Sequence, residues 1–109
     1  MSGMSGIEQT ILARLRELVS RRETIRRMIA FGSRARGDAA PESDLDVIIV
    51  LDEPITPDAD DYVGQCAWEA GFPHGVVVSP VVFSRKQWEE GPERHSLLAL
   101  AARRDGVAA

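Results

Sequence analysis

Two aspartates with one residue between them, Asp44 and Asp46, lead into the apolar run DVIIVL, and ten residues separate the first of them from the pair Gly32-Ser33. Side chains alternate along a strand, so the two carboxylates share one face, about 6.5 to 7 Å apart at Cα, while Leu45 turns to the core. Like charges at the mouth of a buried strand repel, and the arrangement is costly unless protons or metal ions neutralise it. Magnesium suits all-oxygen ligation of this kind, taking one or two carboxylates together with substrate phosphates. Gly32 lets the backbone approach a ligand closely, and Ser33 adds a hydroxyl and an N–H at the start of a helical turn, where anions are favoured. Either half alone has a plain alternative, a solvated loop end or a helix cap. The combination describes a nucleoside triphosphate held between a Gly-Ser turn and a metal-bearing Asp-x-Asp.

The elements that must position these residues follow from periodicity. Ile7, Ile11, Leu12, Leu15, Leu18 and Val19 recur at three and four, which predicts a helix over 7–19 with Ser5 and Glu8 as its capping box. Residues 24–31 (TIRRMIAF) read as a strand ending at Gly32, followed by one helical turn from Ser33. The run 46–51 is a strand covered on both faces. A second helix is predicted over 58–70, acidic in its first turn and closed by Gly71 and Pro73. Residues 75–83 form a third strand, with a bulge or a sheet edge at Pro80. Ser84 caps a short helix carrying Trp88, and a last helix over 95–104 places Leu97, Leu98, Leu100 and Ala101 on its apolar side and ends at Gly106 as a C′ glycine. The order implies an α/β (α+β) chain with a small three- to four-stranded mixed sheet flanked by helices, residues 1–109 forming one domain.

At 109 residues, 44% hydrophobic and 28% charged, the chain has room for one core and one site. A net charge of -4 argues against a dedicated nucleic-acid binder. Twelve of its thirteen basic residues are arginine, most between Arg14 and Arg36, while acids crowd Glu42 to Asp61. Cys66 is alone, so no disulfide framework is expected, and burial on a helix accounts for it. The N-terminal MSGMSGIEQT lacks the pattern of a signal peptide, and no apolar run approaches the roughly 20 residues that span a bilayer. A cytoplasmic protein without membrane contact is expected.

Gly32-Ser33, Arg34, Arg36-Gly37-Asp38 and Ser43-Asp44-Leu45-Asp46, with SPVVFSRKQWEE and RRDGV later in the chain, closely resemble the minimal nucleotidyltransferases of the DNA polymerase beta superfamily. The resemblance implies the nucleotidyltransferase fold and a magnesium-dependent transfer of a nucleoside monophosphate, usually AMP from ATP, to a hydroxyl of a partner. It implies that Gly32 and Ser33 hold the β- and γ-phosphates, that Asp44 and Asp46 bind two metal ions, and that Arg34 or Arg36 steadies phosphate charge or meets the partner. Domains of this type commonly pair with a helical HEPN-type ribonuclease toxin as its antitoxin, so assembly with such a partner, or with another copy, is expected.

The same resemblance calls for a third carboxylate on the later strand, expected at Val77, where HGVVVSP offers no acid. The gap fits a pseudoenzyme that binds nucleotide without turning it over and restrains its partner by contact alone, a subfamily working with two carboxylates, or an acid recruited from Asp38, Asp52, Glu53 or Glu69. His74 is a candidate substitute base and His95 a helix-start residue. Trp68 and Trp88 read as core or interface anchors rather than base-stacking platforms. The pairs Arg21-Arg22 and Arg26-Arg27 face solvent unless an acidic partner or RNA meets them, and Arg103 and Arg104 suit a last helical turn.

Overall fold

Strand β1 (Ile25–Phe31) and strand β2 (Leu45–Leu51) pair antiparallel, and everything that matters for the site grows from that pair. The computed structural model describes residues 4–37, 40, 42–92 and 96–109. Helix α1 (Gly6–Ser20) precedes β1, helix α2 (Gly32–Arg36) follows it, and helix α3 (Pro57–Gly71) with a 3-10 turn (Phe72–His74) joins β2 to strand β3 (Val78–Ser84). Helices α4 (Arg85–Glu89) and α5 (Leu97–Asp105) and a short strand β4 (Val107–Ala108) complete the described chain. The sheet order is β3-β2-β1-β4, with β2 and β3 parallel and the other pairs antiparallel, so the sheet is mixed. No described helix is long and apolar enough to cross a membrane.

Strand β2 is central and, Asp46 apart, fully buried, because helices cover both faces of the sheet. Val47, Ile49 and Leu51 point toward α1 and α3 and meet Ile11, Leu15 and Val63. Ile48 and Val50 point the other way, toward Phe83, Trp88, Ala99 and Ala102. Asp46 belongs to this second face by alternation and stands where its apolar packing gives out. The expected capping box of α1 is present: the Glu8 N–H donates to Ser5 Oγ and the Ser5 N–H to Glu8 Oε1. Ser84 and Gln87 form a second one on α4.

Several expectations are corrected. Helix α3 ends at Gly71 but leads straight into the 3-10 turn, and the left-handed residue is Gly75, at φ of 67°. Gly71 is needed for space, since a Cβ there would lie 2.1 Å from the Val76 carbonyl oxygen. Gly106 is likewise no left-handed cap, having φ of -73°. It lets α5 turn directly into β4, and its missing Cβ would sit 2.2 Å from the Ala102 carbonyl oxygen and 2.4 Å from Ile29 Cγ2. We therefore expect Gly106→Ala to cost about 1–3 kcal/mol, read as a lower urea midpoint with unchanged slope. Strand β4 is too short for a two-residue period to reveal it.

Pro80 does lie on an edge strand, as its missing N–H requires. Ile7 is exposed, and the last helix starts at Leu97 behind its Ser96 cap, burying Ala99 and Ala102 while Leu97 and Leu100 face outward. Trp88 is a core residue with Arg103 over its ring at 4.3 Å. Trp68, by contrast, is 63% exposed and stacks on Phe72 at 4.6 Å. Cys66 is buried on α3. Arg21 pairs with Glu17 and Arg22 lies over Tyr62, so both are engaged within the fold. Asp38 and His95 lie outside the described residues.

Candidate active site

Phe31, the last residue of β1, pairs with Asp46, and the chain turns immediately into α2 through Gly32. Gly32 has φ of 79°, a conformation that residues with a Cβ rarely adopt. A Cβ built there would fall 2.7 Å from Asp46 Oδ2, closer than real Cβ atoms approach any oxygen. The backbone of the Gly-Ser turn thus rests directly on the second carboxylate. Ser33 follows in the same five-residue helix, half-buried, and Arg36 ends it, exposed.

Asp44 precedes β2 and is exposed, whereas Asp46 is half-buried inside the strand. Burial, and secondarily the charge of Asp44, push the Asp46 carboxyl above the ordinary aspartate range. The pair therefore holds negative charge that the fold penalises and a cation would relieve. Strand β3 lies parallel beside β2 with Ser79 in register with Asp46, and the Ser79 hydroxyl donates to Asp44 Oδ2 at 3.1 Å. Asp44, Asp46 and Ser79 supply oxygen atoms only. Among the described residues no group of three or more His, Cys, Asp and Glu side chains is gathered. The donor set fits a hard dication that completes its shell with water and substrate phosphates.

The position expected for a third carboxylate, Val77, carries no acid and lies one residue ahead of the Leu45–Val78 pair in this register. Val77 precedes β3, is 64% exposed and lines an apolar cleft with Trp68 and Phe72. Ser79 is the residue set across from Asp46. The acids considered as substitutes are engaged elsewhere: Asp52 pairs with Arg26 at the far end of β2, Glu53 accepts from the Lys86 N–H, and Glu69 lines a cleft beside α1 with Arg14 and Trp68. His74 lines that same cleft, on the α3 side of the sheet, and is not brought to the carboxylates.

Arg34 is held within the fold. Its Nε donates to the Ser43 carbonyl at 2.6 Å and its guanidinium pairs with Glu8 at 3.0 Å, both side chains being nearly buried. Ser79 and Glu8 are thus site neighbours that periodicity and motif spacing do not reveal. Only the parallel register brings Ser79 to the carboxylates. For Glu8 the capping box gives its position on α1 and nothing about its second partner.

Residues 12–90 match the family model described as nucleotidyltransferase domain. A protein of Methanocaldococcus jannaschii named "Putative protein adenylyltransferase MJ0604" is 38% identical over 65 residues, covering 60% of this chain and 60% of its own length. A second protein of that organism, "Putative protein adenylyltransferase MJ0141", is 31% identical over 64 residues, covering 59% of this chain and 65% of its own length. The chain therefore spans less than two thirds of either relative. The matched region takes in the Gly-Ser turn, both aspartates and Ser79, and the chain belongs to the nucleotidyltransferase domain family.

Proposed function

We propose that this protein transfers AMP from ATP to a hydroxyl of a partner protein in a magnesium-dependent reaction. The observation that carries the reading is the close approach of the Gly32 backbone to the Asp46 carboxylate, which supports a turn for the phosphates beside a pair for the metal ions. Two relatives whose names are those of protein adenylyltransferases support a protein acceptor. Gly32 and Ser33 hold the β- and γ-phosphates, Arg36 steadies their charge from the end of α2, and Asp44 and Asp46 hold the dications. When bound, these ions polarise the phosphoryl oxygens and neutralise charge on the leaving group. The acceptor oxygen forms its bond to the α-phosphorus, the bond from that phosphorus to the bridging oxygen breaks, pyrophosphate leaves with the electron pair, and the acceptor proton passes to solvent.

The partner we put forward is a helical HEPN-type toxin, with this chain as the antitoxin. Exposed Leu97 and Leu100, three residues apart on α5, support contact with a protein surface. The test is incubation of both proteins with ATP labelled at the α-phosphate. We expect label and one AMP of added mass on the partner, both lost in the double variant Asp44→Asn with Asp46→Asn. Neutralisation of the toxin by that double variant, with no modification by the wild type, would overturn the reading.

One observation favours a second reading, a lapsed enzyme that restrains its partner by contact: Ser79 stands across from Asp46 where a third acid would complete the site. Ser79→Asp separates the two. An added unit charge a few ångströms from a dication is worth more than the ~1.4 kcal/mol that makes a tenfold change. We expect magnesium affinity to rise about tenfold or more by calorimetry. Transfer rises with it if the site turns over, and stays nil if catalysis has lapsed.

A further inference from the structure

We infer that Arg34 and Glu8 form a latch that positions Asp44, making both of them positioning residues of the site rather than phosphate ligands. The inference rests on the magnesium-ATP reading above. Arg34 lies one residue beyond Ser33 on α2, and its Nε donates to the carbonyl of Ser43, the residue immediately before Asp44. One side chain thus spans from the phosphate turn to the first carboxylate, bypassing the connection through residues 37–42. The other edge of the guanidinium is held by Glu8 Oε2, while Glu8 Oε1 accepts from the Ser5 N–H at 2.6 Å. A single carboxylate therefore caps α1 and anchors the latch.

The electrostatics agree with this division of labour. Burial by itself would push the Glu8 carboxyl up, but the hydrogen bonds from Ser5 and Arg34 more than offset it and hold the group below its usual range. The ion pair is 10% exposed on the arginine side and 8% on the glutamate side, so it is largely withdrawn from solvent and weakly screened. Downstream, the Leu45 N–H is tied to the Val77 carbonyl at 2.8 Å, and Ser79 holds Asp44 from β3. Asp44 is thereby fixed from two sides, by Arg34 through the backbone and by Ser79 through the carboxylate. Only the first of these reaches back to the phosphate turn.

The test uses Arg34→Lys and Arg34→Met, with Glu8→Gln as a variant that keeps a capping side chain at its position while removing the charge. Two readouts are taken: magnesium and ATP affinities by calorimetry, and amide hydrogen exchange at Asp44 and Leu45 against Ile48 and Ile49. We expect the magnesium affinity of Arg34→Lys to fall about tenfold, as for other groups that orient metal ligands, with ATP affinity at saturating magnesium within about twofold. Exchange at Asp44 and Leu45 should speed up about tenfold in all three variants while Ile48 and Ile49 keep their protection, the sign of a local rather than global opening. Unchanged exchange at Asp44 and Leu45 would overturn the latch. So would a loss of ATP affinity with magnesium dependence intact, since that places the guanidinium on phosphate. Should the wild type bind no magnesium-ATP, the proposed function falls, and the exchange pattern alone upholds or overturns the latch.

Discussion

Asp46→Asn is expected to make the metal-free protein more stable and to abolish transfer. The wild-type carboxyl is held above its ordinary range by burial and by Asp44, so the folded chain binds this proton more tightly than the unfolded chain does. The resulting penalty on the fold is absent below the unfolded-state value, grows as pH rises through the interval up to the raised folded-state value, and is complete above it. At neutral pH the substitution removes a buried charge and the repulsion of a same-face neighbour. We expect a gain of roughly 0.5–1 kcal/mol, a few degrees in melting temperature. The gain should vanish when wild type and variant are compared near pH 3, and it should shrink or reverse when magnesium is added, because only the wild type is stabilised by the ion. Transfer should fall by about a thousandfold or more, since metal stabilisation of transition-state charge is worth several kcal/mol and each ~1.4 kcal/mol is tenfold in rate. Melting curves with and without magnesium, set beside label transfer, check both halves. A variant less stable than wild type without metal would mean that Asp46 is a structural acceptor instead.

The opposite signs of those two effects explain how much of the site is legible in the sequence. A carboxylate facing out of a run as apolar as DVIIVL breaks the local pattern, and such breaks mark function. Asp44, Asp46 and the Gly-Ser pair stand out by residue type and spacing for that reason. The helices α1 and α4 and the central strand are equally legible, since caps and periodicity are local signals. What cannot be read there is whatever depends on a register between distant strands. Ser79 faces Asp46 only because β3 starts at Val78 and runs parallel to β2, and a one-residue slip would put a different side chain there.

Arg34 illustrates the same limit from the other side. An arginine beside a phosphate turn reads naturally as a phosphate ligand, and nothing local to GSRARG shows that Glu8, twenty-six residues earlier, already holds its charge. Glycines are the third kind of miss. Gly71 and Gly106 sit near helix ends and suggest left-handed caps, but both are fixed by steric crowding against backbone that only the tertiary fold brings near. Sequence proximity to a helix end predicts the residue type without predicting its reason.

Gly32→Ala combines backbone strain and steric crowding at one residue of the candidate site. Two costs add. The left-handed backbone at φ of 79° disfavours any Cβ by about 1–2 kcal/mol. The methyl group would also begin 2.7 Å from Asp46 Oδ2, so the carboxylate or the turn must move. Because Asp46 is anchored within a strand paired on both sides, the turn is the part expected to yield. We expect a stability loss of about 2–3 kcal/mol in urea denaturation at neutral pH. Magnesium-dependent ATP binding should be lost in calorimetry under conditions where the variant is still folded, since the phosphate turn no longer abuts the metal pair. The double variant Gly32→Ala with Asp46→Asn separates the two costs. Removing the charge leaves the steric bulk nearly unchanged, so the stability losses and gains of the two substitutions should add within about 0.5 kcal/mol if strain dominates. Strong coupling between them, with the double variant recovering most of the loss, would instead show that the damage of the methyl group lies in what it does to a desolvated carboxylate. In that case Gly32 is required less for its backbone angle than for leaving the Asp46 charge accessible to a cation.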